Sequence, residues 1–202
     1  ATALREMAAL RPEIMLSGHG LPIFGAERIV AALTDTADLL DSIESQTLAI
    51  MNQGKNLDTC LHEVEIPAHL RDKPYLQPVY DHPQFLIRNV WRRYGGWYDG
   101  EPDNLLPAPR AQQAEEWIAL AGGVDAVLAR ATALVEQGDP RLACHLVEYA
   151  ALAASDDPEV WAVRASVYRA HSAQHTSSMA RNILGHAAQA SEQQRRDLAG
   201  DY

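Results

Sequence analysis

The sequence predicts a mainly α-helical fold, a bundle with antiparallel helix pairs, preceded by a short α/β fragment. Three observations predict it. Apolar residues recur at three- and four-residue steps from Ala26 to about Ala190. The later periodic segments are joined by links of a few residues, Gly138-Asp139-Pro140 and Ser155-Asp156-Asp157-Pro158, which should pack neighbouring helices antiparallel. Residues 1–25 instead hold a helix, a strand-length apolar run and a glycine-rich loop, a piece of an α/β layer rather than a self-sufficient domain.

The elements follow in order. A helix over about Ala3–Leu10 stops before Pro12, because proline disfavours helix at the residue preceding it. Glu13–Leu16 is of strand length and leads into the turn-rich Ser17-Gly18-His19-Gly20-Leu21-Pro22. From Ala26, Ile29, Leu33, Leu40, Ile43 and Ile50 line one face of a long helix that Gly54 ends. At 1.5 Å per residue it would be about 40 Å long, a spine for a bundle or a surface shared between subunits. Asn56 or Asp58 can cap a short helix through His62, ended by Ile66-Pro67. Pro67–Pro83, with four prolines, is expected to be largely irregular. Pro83 suits the first turn of a helix to about Tyr94, which Gly95-Gly96 breaks, and a second proline-rich loop ends at Pro109.

The last hundred residues read as helices at about Arg110–Leu120, Val124–Gln137, Arg141–Ala154, Glu159–Ala170 and Ser178–Ala190. Alanine faces such as Ala126, Ala129, Ala133 and Ala143, Ala150, Ala153 would permit close helix approach. The pair spacing, roughly 34 residues, is similar to tetratricopeptide packing with a loose signature. Ser191–Tyr202 is a polar tail expected to fray.

Composition excludes several classes. The 202 residues carry a formal net charge of −10, and no basic stripe offsets it, so nucleic acid is not an expected partner. No apolar run approaches the roughly 20 residues a membrane helix needs, and no membrane partner is expected. Ala1–Leu10 lacks the basic start and greasy stretch of a signal peptide. The compartment stays open, with the cytoplasm favoured. Cys60 and Cys144 are read as two separate buried thiols rather than a disulfide. Ala1 is not a methionine and already lies in the helical pattern ALREMAAL, as in a piece of a longer protein.

For chemistry, His19 stands out. A histidine between two glycines after a strand presents its imidazole from a loop where a metal ion can approach, although the same pattern also makes an ordinary turn. A catalytic zinc needs about three protein ligands, and the other seven of the eight histidines are scattered. His171 and His175 straddle an expected helix end and read as solvated surface; Cys60 near His62 reads as structural. The second feature is Arg88–Gly100 (RNVWRRYGGWYDG). Its arginines and tyrosines could hold a sulfate or carboxylate, its aromatics could anchor an interface, or the whole could be a core plug with arginines reaching solvent.

Ser17–Gly25 (SGHGLPIFG), Gln46–Gly54 (QTLAIMNQG), Arg88–Pro102 (RNVWRRYGGWYDGEP), Gly122–Arg130 (GGVDAVLAR) and Val135–Pro140 (VEQGDP) together resemble successive stretches of the alkyl sulfatase family. The resemblance runs to about Ala190. It implies a zinc-dependent hydrolase of alkyl sulfate esters, with a metallo-β-lactamase-fold catalytic domain followed by a helical dimerisation domain. Residues 1–25 would then be the tail of the catalytic domain, with His19 as one metal ligand. Residues 26–190 would be the dimerisation domain, with a long helix and wrapping loops over 26–109 and a helix-pair block over 110–190. The parent would hold two zinc ions and this chain alone none tightly. The family's H-x-H-x-D-H motif is absent. Detergent sulfatases carry Ser-His-Asn where this chain has Gln84-Phe85-Leu86, so Phe85 replaces a histidine that would suit contact with the sulfate or the leaving group.

The expected partners are a second copy of the chain and a catalytic domain preceding it. The resemblance places Arg88 and Tyr94 at the substrate, and the aromatic cluster puts Trp91, Trp97 and Tyr98 at the dimer interface. No complete catalytic set is expected within the chain. Two other readings are a free-standing helical adapter that binds a peptide in a groove, and an autonomous metalloenzyme, which one histidine cannot support.

Overall fold

The computed structural model describes residues 1–18 and 20–196, so His19 and the end of the polar tail lie outside the described residues. The fold is mainly helical, with ten α-helices and one two-stranded sheet among the described residues. The chain forms two compact units, Ala1–Pro78 with His82–Pro102, and Val79–Asp81 with Asp103–Tyr202. No single helix among the described residues is long and apolar enough to cross a membrane.

The first unit is organised along α2 (Ala26–Asn52), whose buried positions Ile29, Leu33, Ala37, Ile43, Thr47 and Ile50 keep the helical period. Helix α1 (Thr2–Ala9), β1 (Ile14–Met15) and β2 (Ile23–Phe24) pack on its first half, where Ala8, Ile29 and Leu33 form a small core with Leu4, Met15 and Ile23. Strand β2 was not expected. Ile23–Phe24 pairs antiparallel with Ile14–Met15, and two residues are too few to show an alternating pattern in a glycine-rich loop.

Along its second half, α2 meets α3 (Leu57–Glu63) and α5 (Pro83–Gly95) around Ile43, Ile50, Cys60, Ile87 and Trp91. The proline-rich segment is more ordered than expected, holding α4 (Ala68–Arg71) and a 3₁₀ turn at Pro74–Leu76. The Lys73 ammonium and the Tyr75 hydroxyl both donate to Asp35, which ties this segment to α2.

The second unit stacks α6 (Arg110–Leu120), α7 (Val124–Glu136), α8 (Pro140–Ala153), α9 (Pro158–Ala173) and α10 (Ser178–Glu192). Helix starts are fixed by side chains. Asp139 accepts from Leu142 N at 3.0 Å, Asp157 from Glu159 N at 2.8 Å and Ser177 from Ala180 N at 3.2 Å. Helix α7 buries Val127, Leu128, Ala131 and Leu134, while Ala126 and Ala129 face solvent, contrary to the alanine stripe expected there. The larger apolar face takes the core because each buried Val or Leu contributes about 1.5–3 kcal/mol. On α8 the expectation fares better, with Ala143 and Ala150 fully buried. Cys60 and Cys144 are both buried and free.

The chain through Arg196 does not fray. Ser191 is buried, Gln194 adopts a left-handed backbone with φ 55°, and Arg195 N returns to Ala190 O at 3.0 Å.

Candidate functional site

The aromatic and arginine segment is a helix followed by a pinned turn. Pro83 opens α5, and the His82 ring accepts from Gln84 N at 3.2 Å as its cap. Ile87 and Trp91 face inward, and Arg88, Arg92, Arg93 and Tyr94 face outward. Gly95 lies against Met51 and Trp91, and Gly96, with φ 81°, ends the helix. The chain then folds back, so that the Trp91 indole Nε1 donates to Tyr98 O at 2.8 Å.

The turn docks on the start of α3. Leu57 N donates to Asp99 O at 2.8 Å, Glu101 N donates to the Asp99 carboxylate at 2.9 Å, and Asn56 donates through its side chain to Glu101. Asn56 also caps α3, accepting from Thr59 N at 2.9 Å. Gly100 is required there. Its φ is 93°, and a Cβ would sit 2.7 Å from the Asn56 Cβ. Much of the Tyr-Gly-Gly-Trp-Tyr-Asp-Gly pattern is therefore a turn that a side chain at Gly100 would push off its helix.

What remains on the outside is a small chemical surface. Trp97 is 80% exposed, with its ring edge-on to Tyr98 at 6.0 Å. Tyr94 donates its hydroxyl to Glu44 Oε1 at 2.8 Å, and that bond raises the phenol above its ordinary range, keeping it a donor. The Arg93 guanidinium lies 5.6 Å from the Tyr94 ring centre, and Arg88 is exposed earlier on the helix. Trp91, Trp97, Tyr98 and Tyr94 thus gather at one helix end, with Trp91 inside the core of its own unit.

Among the described residues, no group of three or more His, Cys, Asp or Glu could hold a metal ion. His19 lies outside the described residues. His171 and His175 stand ring to ring at 4.9 Å, with His175 just beyond the end of α9. Cys144 Sγ lies 3.3 Å from His171 Nδ1, but burial pushes its thiol up to about 12, which removes it as a nucleophile. Burial likewise raises the Cys60 thiol.

One cluster escaped sequence reading. Arg164 is only 3% exposed and donates through Nε and Nη2 to Glu148 Oε1 at 2.8 and 2.5 Å. Tyr168 donates to the same oxygen at 2.7 Å, while Arg196 Nε serves Oε2 at 3.0 Å. The remaining Arg164 protons go to Ser191 Oγ and to the carbonyls of Ala187 and Arg196. Burial pushes the Glu148 carboxyl up, but the Tyr168 bond and the two arginines outweigh it and hold it below the ordinary range. Glu148 and Arg164 lie on different helices, sixteen residues apart, so no local pattern announces them.

With this architecture in place, the helices from α3 to α10 define a dimerisation domain of alkylsulfatase type. Residues 56–194 match the family model for alkyl sulfatase dimerisation, and the chain belongs to that family. A linear primary-alkylsulfatase of Pseudomonas sp. is 33% identical over 168 residues, covering 83% of this chain and 32% of the relative. An (R)-specific secondary-alkylsulfatase of Pseudomonas sp. is 29% identical, over 86% of this chain and 26% of that protein. An alkyl/aryl-sulfatase of Saccharomyces cerevisiae is 28% identical, over 98% of this chain and 29% of its own length. The solved structure of the stereoselective inverting sec-alkylsulfatase Pisa1 from Pseudomonas sp. superposes with a TM-score of 0.86 at 28% identity, covering 94% of this chain and 30% of that one. The chain spans no more than about a third of the length of the curated relatives it matches. None of these relatives supports the free-standing adapter.

Proposed function

We infer that this chain joins two copies of an alkyl-sulfatase-type, metal-dependent hydrolase and supplies one edge of its active site. The observation that carries the reading is the match of residues 56–194 to the dimerisation family. In this reading residues 1–25 are the tail of a metallo-β-lactamase-like catalytic domain. The β1–β2 ribbon supports that role: Ile14 and Phe24 are register partners, and both are exposed, as are Leu16 and Leu21. An apolar outer face on a two-stranded ribbon suits further sheet from the same protein. The helices of the second unit are read as tetratricopeptide-like antiparallel pairs, which short links such as Gly138-Asp139-Pro140 favour.

His19 would be one ligand of a zinc site, with two ions and the other ligands outside this chain; bound metal would supply activated water and polarise the ester. Arg88 and Tyr94 are assigned to the substrate oxyanion, where the exposed Arg88 guanidinium can donate directly and the Tyr94 phenol would have to turn its proton from Glu44 to the substrate. The substrate is an alkyl sulfate or a related ester. Trp97 and Tyr98 are assigned to the dimer interface, with Trp91 fixing their turn from within.

Light scattering on the eluting chain across a dilution series tests the dimer: a mass of two chains is expected, and a monomer at every concentration would remove this function. In the longer parent, His19→Ala is expected to lower metal content and activity together, and full activity with normal metal would remove His19 from the site.

A further inference from the structure

We propose that residues 79–81 are a releasable strap that couples the start of α10 to the start of α5. Although they precede α5 in the chain, Val79–Asp81 belong to the second unit, where they close the N-terminal end of α10. Ser178 N donates to Val79 O at 2.9 Å, Met179 N to Tyr80 O at 3.2 Å, and the Ser177 hydroxyl to the same Tyr80 carbonyl at 2.8 Å. The first amide protons of a helix have no partner within it, and the strap satisfies two of them. Ser177 Oγ takes a third, from Ala180 N.

Backbone carbonyls rather than apolar burial hold the strap, since the side chains of Val79 and Tyr80 are 66% and 52% exposed. Ser177 is only 1% exposed. With the strap away, its hydroxyl and the two amides beside it would lose their acceptors, which keeps the closed state favoured. A contact of three hydrogen bonds with little apolar area is nevertheless the kind that opens locally before a whole unit does.

The strap has no slack at its other end. His82 follows Asp81 directly and caps α5 within the first unit, its ring accepting from Gln84 N at 3.2 Å and its carbonyl from Phe85 N at 2.8 Å. One short stretch of chain thus caps two helices, α10 through Val79 and Tyr80 and α5 through His82. Only Asp81 lies between the two anchors, and one residue spans at most about 3.6 Å. Pro78 and Pro83 border the stretch and restrict its backbone. Fraying at the start of α5 is therefore taken up by the bonds to α10, and opening at α10 loosens His82 in turn. The strap has two states, closed or open on Ser177, and a coupling of this kind runs equally in both directions.

Amide hydrogen exchange on the 202-residue protein, resolved by residue with NMR, tests the strap. In the wild type, Ser178 and Met179 are expected to be protected although they sit in a first helical turn. Exchange there at the unprotected rate would overturn the proposal. His82→Ala with Pro83→Gly, which unfasten α5, should speed exchange at Ser178 and Met179 about fivefold or more. Ser177→Ala should in turn speed it at Gln84 and Phe85. Amides in the middle of α7 and α8 should keep their wild-type rates, and an equal rise there would mean general loss of stability and sink the coupling. Changes confined to the substituted helix in both variants would leave two independent caps, and the coupling would fall as well.

Discussion

The two units reach stability by different means. In the first, one long helix serves as a rail, and distant segments clip onto it through polar contacts at intervals. Arg5 pairs with Asp38 and Asp41, Lys73 and Tyr75 meet Asp35, and Gln46 holds the backbone of Glu65 on both sides. In the second, α7 to α10 each pack on the next and α6 packs on α8, and the polar contacts converge on one buried carboxylate, Glu148. Clips placed in series fail one at a time, whereas groups that share one buried anion fail together.

The largest expected effect follows from that convergence. Glu148→Ala leaves Arg164 buried with no counter-charge and should cost about 3–5 kcal/mol, read as a lowered urea midpoint. Its carboxyl is held below the ordinary range in the fold, so its contribution is present above that range and lost as pH falls through the folded value. A loss under about 1 kcal/mol would show that the cluster is no more cooperative than the clips of the first unit.

Next comes Gly100→Ala in the first unit. It combines a left-handed backbone with a Cβ placed on Asn56 and should cost about 1–3 kcal/mol. Hydrogen exchange should locate the loosening in α3 and the turn, leaving α8–α10 protected. Spread of the change into those helices would break the distinction between local and shared contacts.

Capping substitutions sharpen it. Asn56→Ala and Asp139→Ala each remove one helix cap worth about 1 kcal/mol. Asn56 also holds Glu101, so its thermal midpoint should fall further than that of the Asp139 variant.

The smallest effect is a pH dependence. Burial, with His175, Arg141 and His145, lowers the His171 pKa, so the fold favours neutral imidazole. Stability should therefore decline as pH drops below about 6.5 and level off at the lower folded value. His171→Asn should flatten that decline in an acid titration of the urea midpoint.

What the sequence discloses differs between the units for the same reason. The boundaries of α6–α10 were legible to within a few residues, because aspartate, proline and glycine punctuate them locally. Gly100 could be read as a turn, but not that it is pressed against Asn56, forty-four residues earlier. Strand β2 and the Glu148–Arg164 pair were invisible, since both depend on partners brought near only by folding. Of the site, the aromatic and arginine cluster was found, but its division into an inward Trp91 and an outward Trp97 depends on the turn between them.

The four tryptophans divide evenly. Trp91 and Trp161 are buried, one in each unit, and each donates its indole proton to a carbonyl nearby in the chain. Trp97 and Trp117 are exposed. Replacing the exposed pair with phenylalanine would leave one tryptophan inside each half of the protein, excited selectively over the seven tyrosines at the red edge of absorption. Removing either of the remaining two would then let emission follow one half at a time, and show whether the halves melt in a single transition or in sequence.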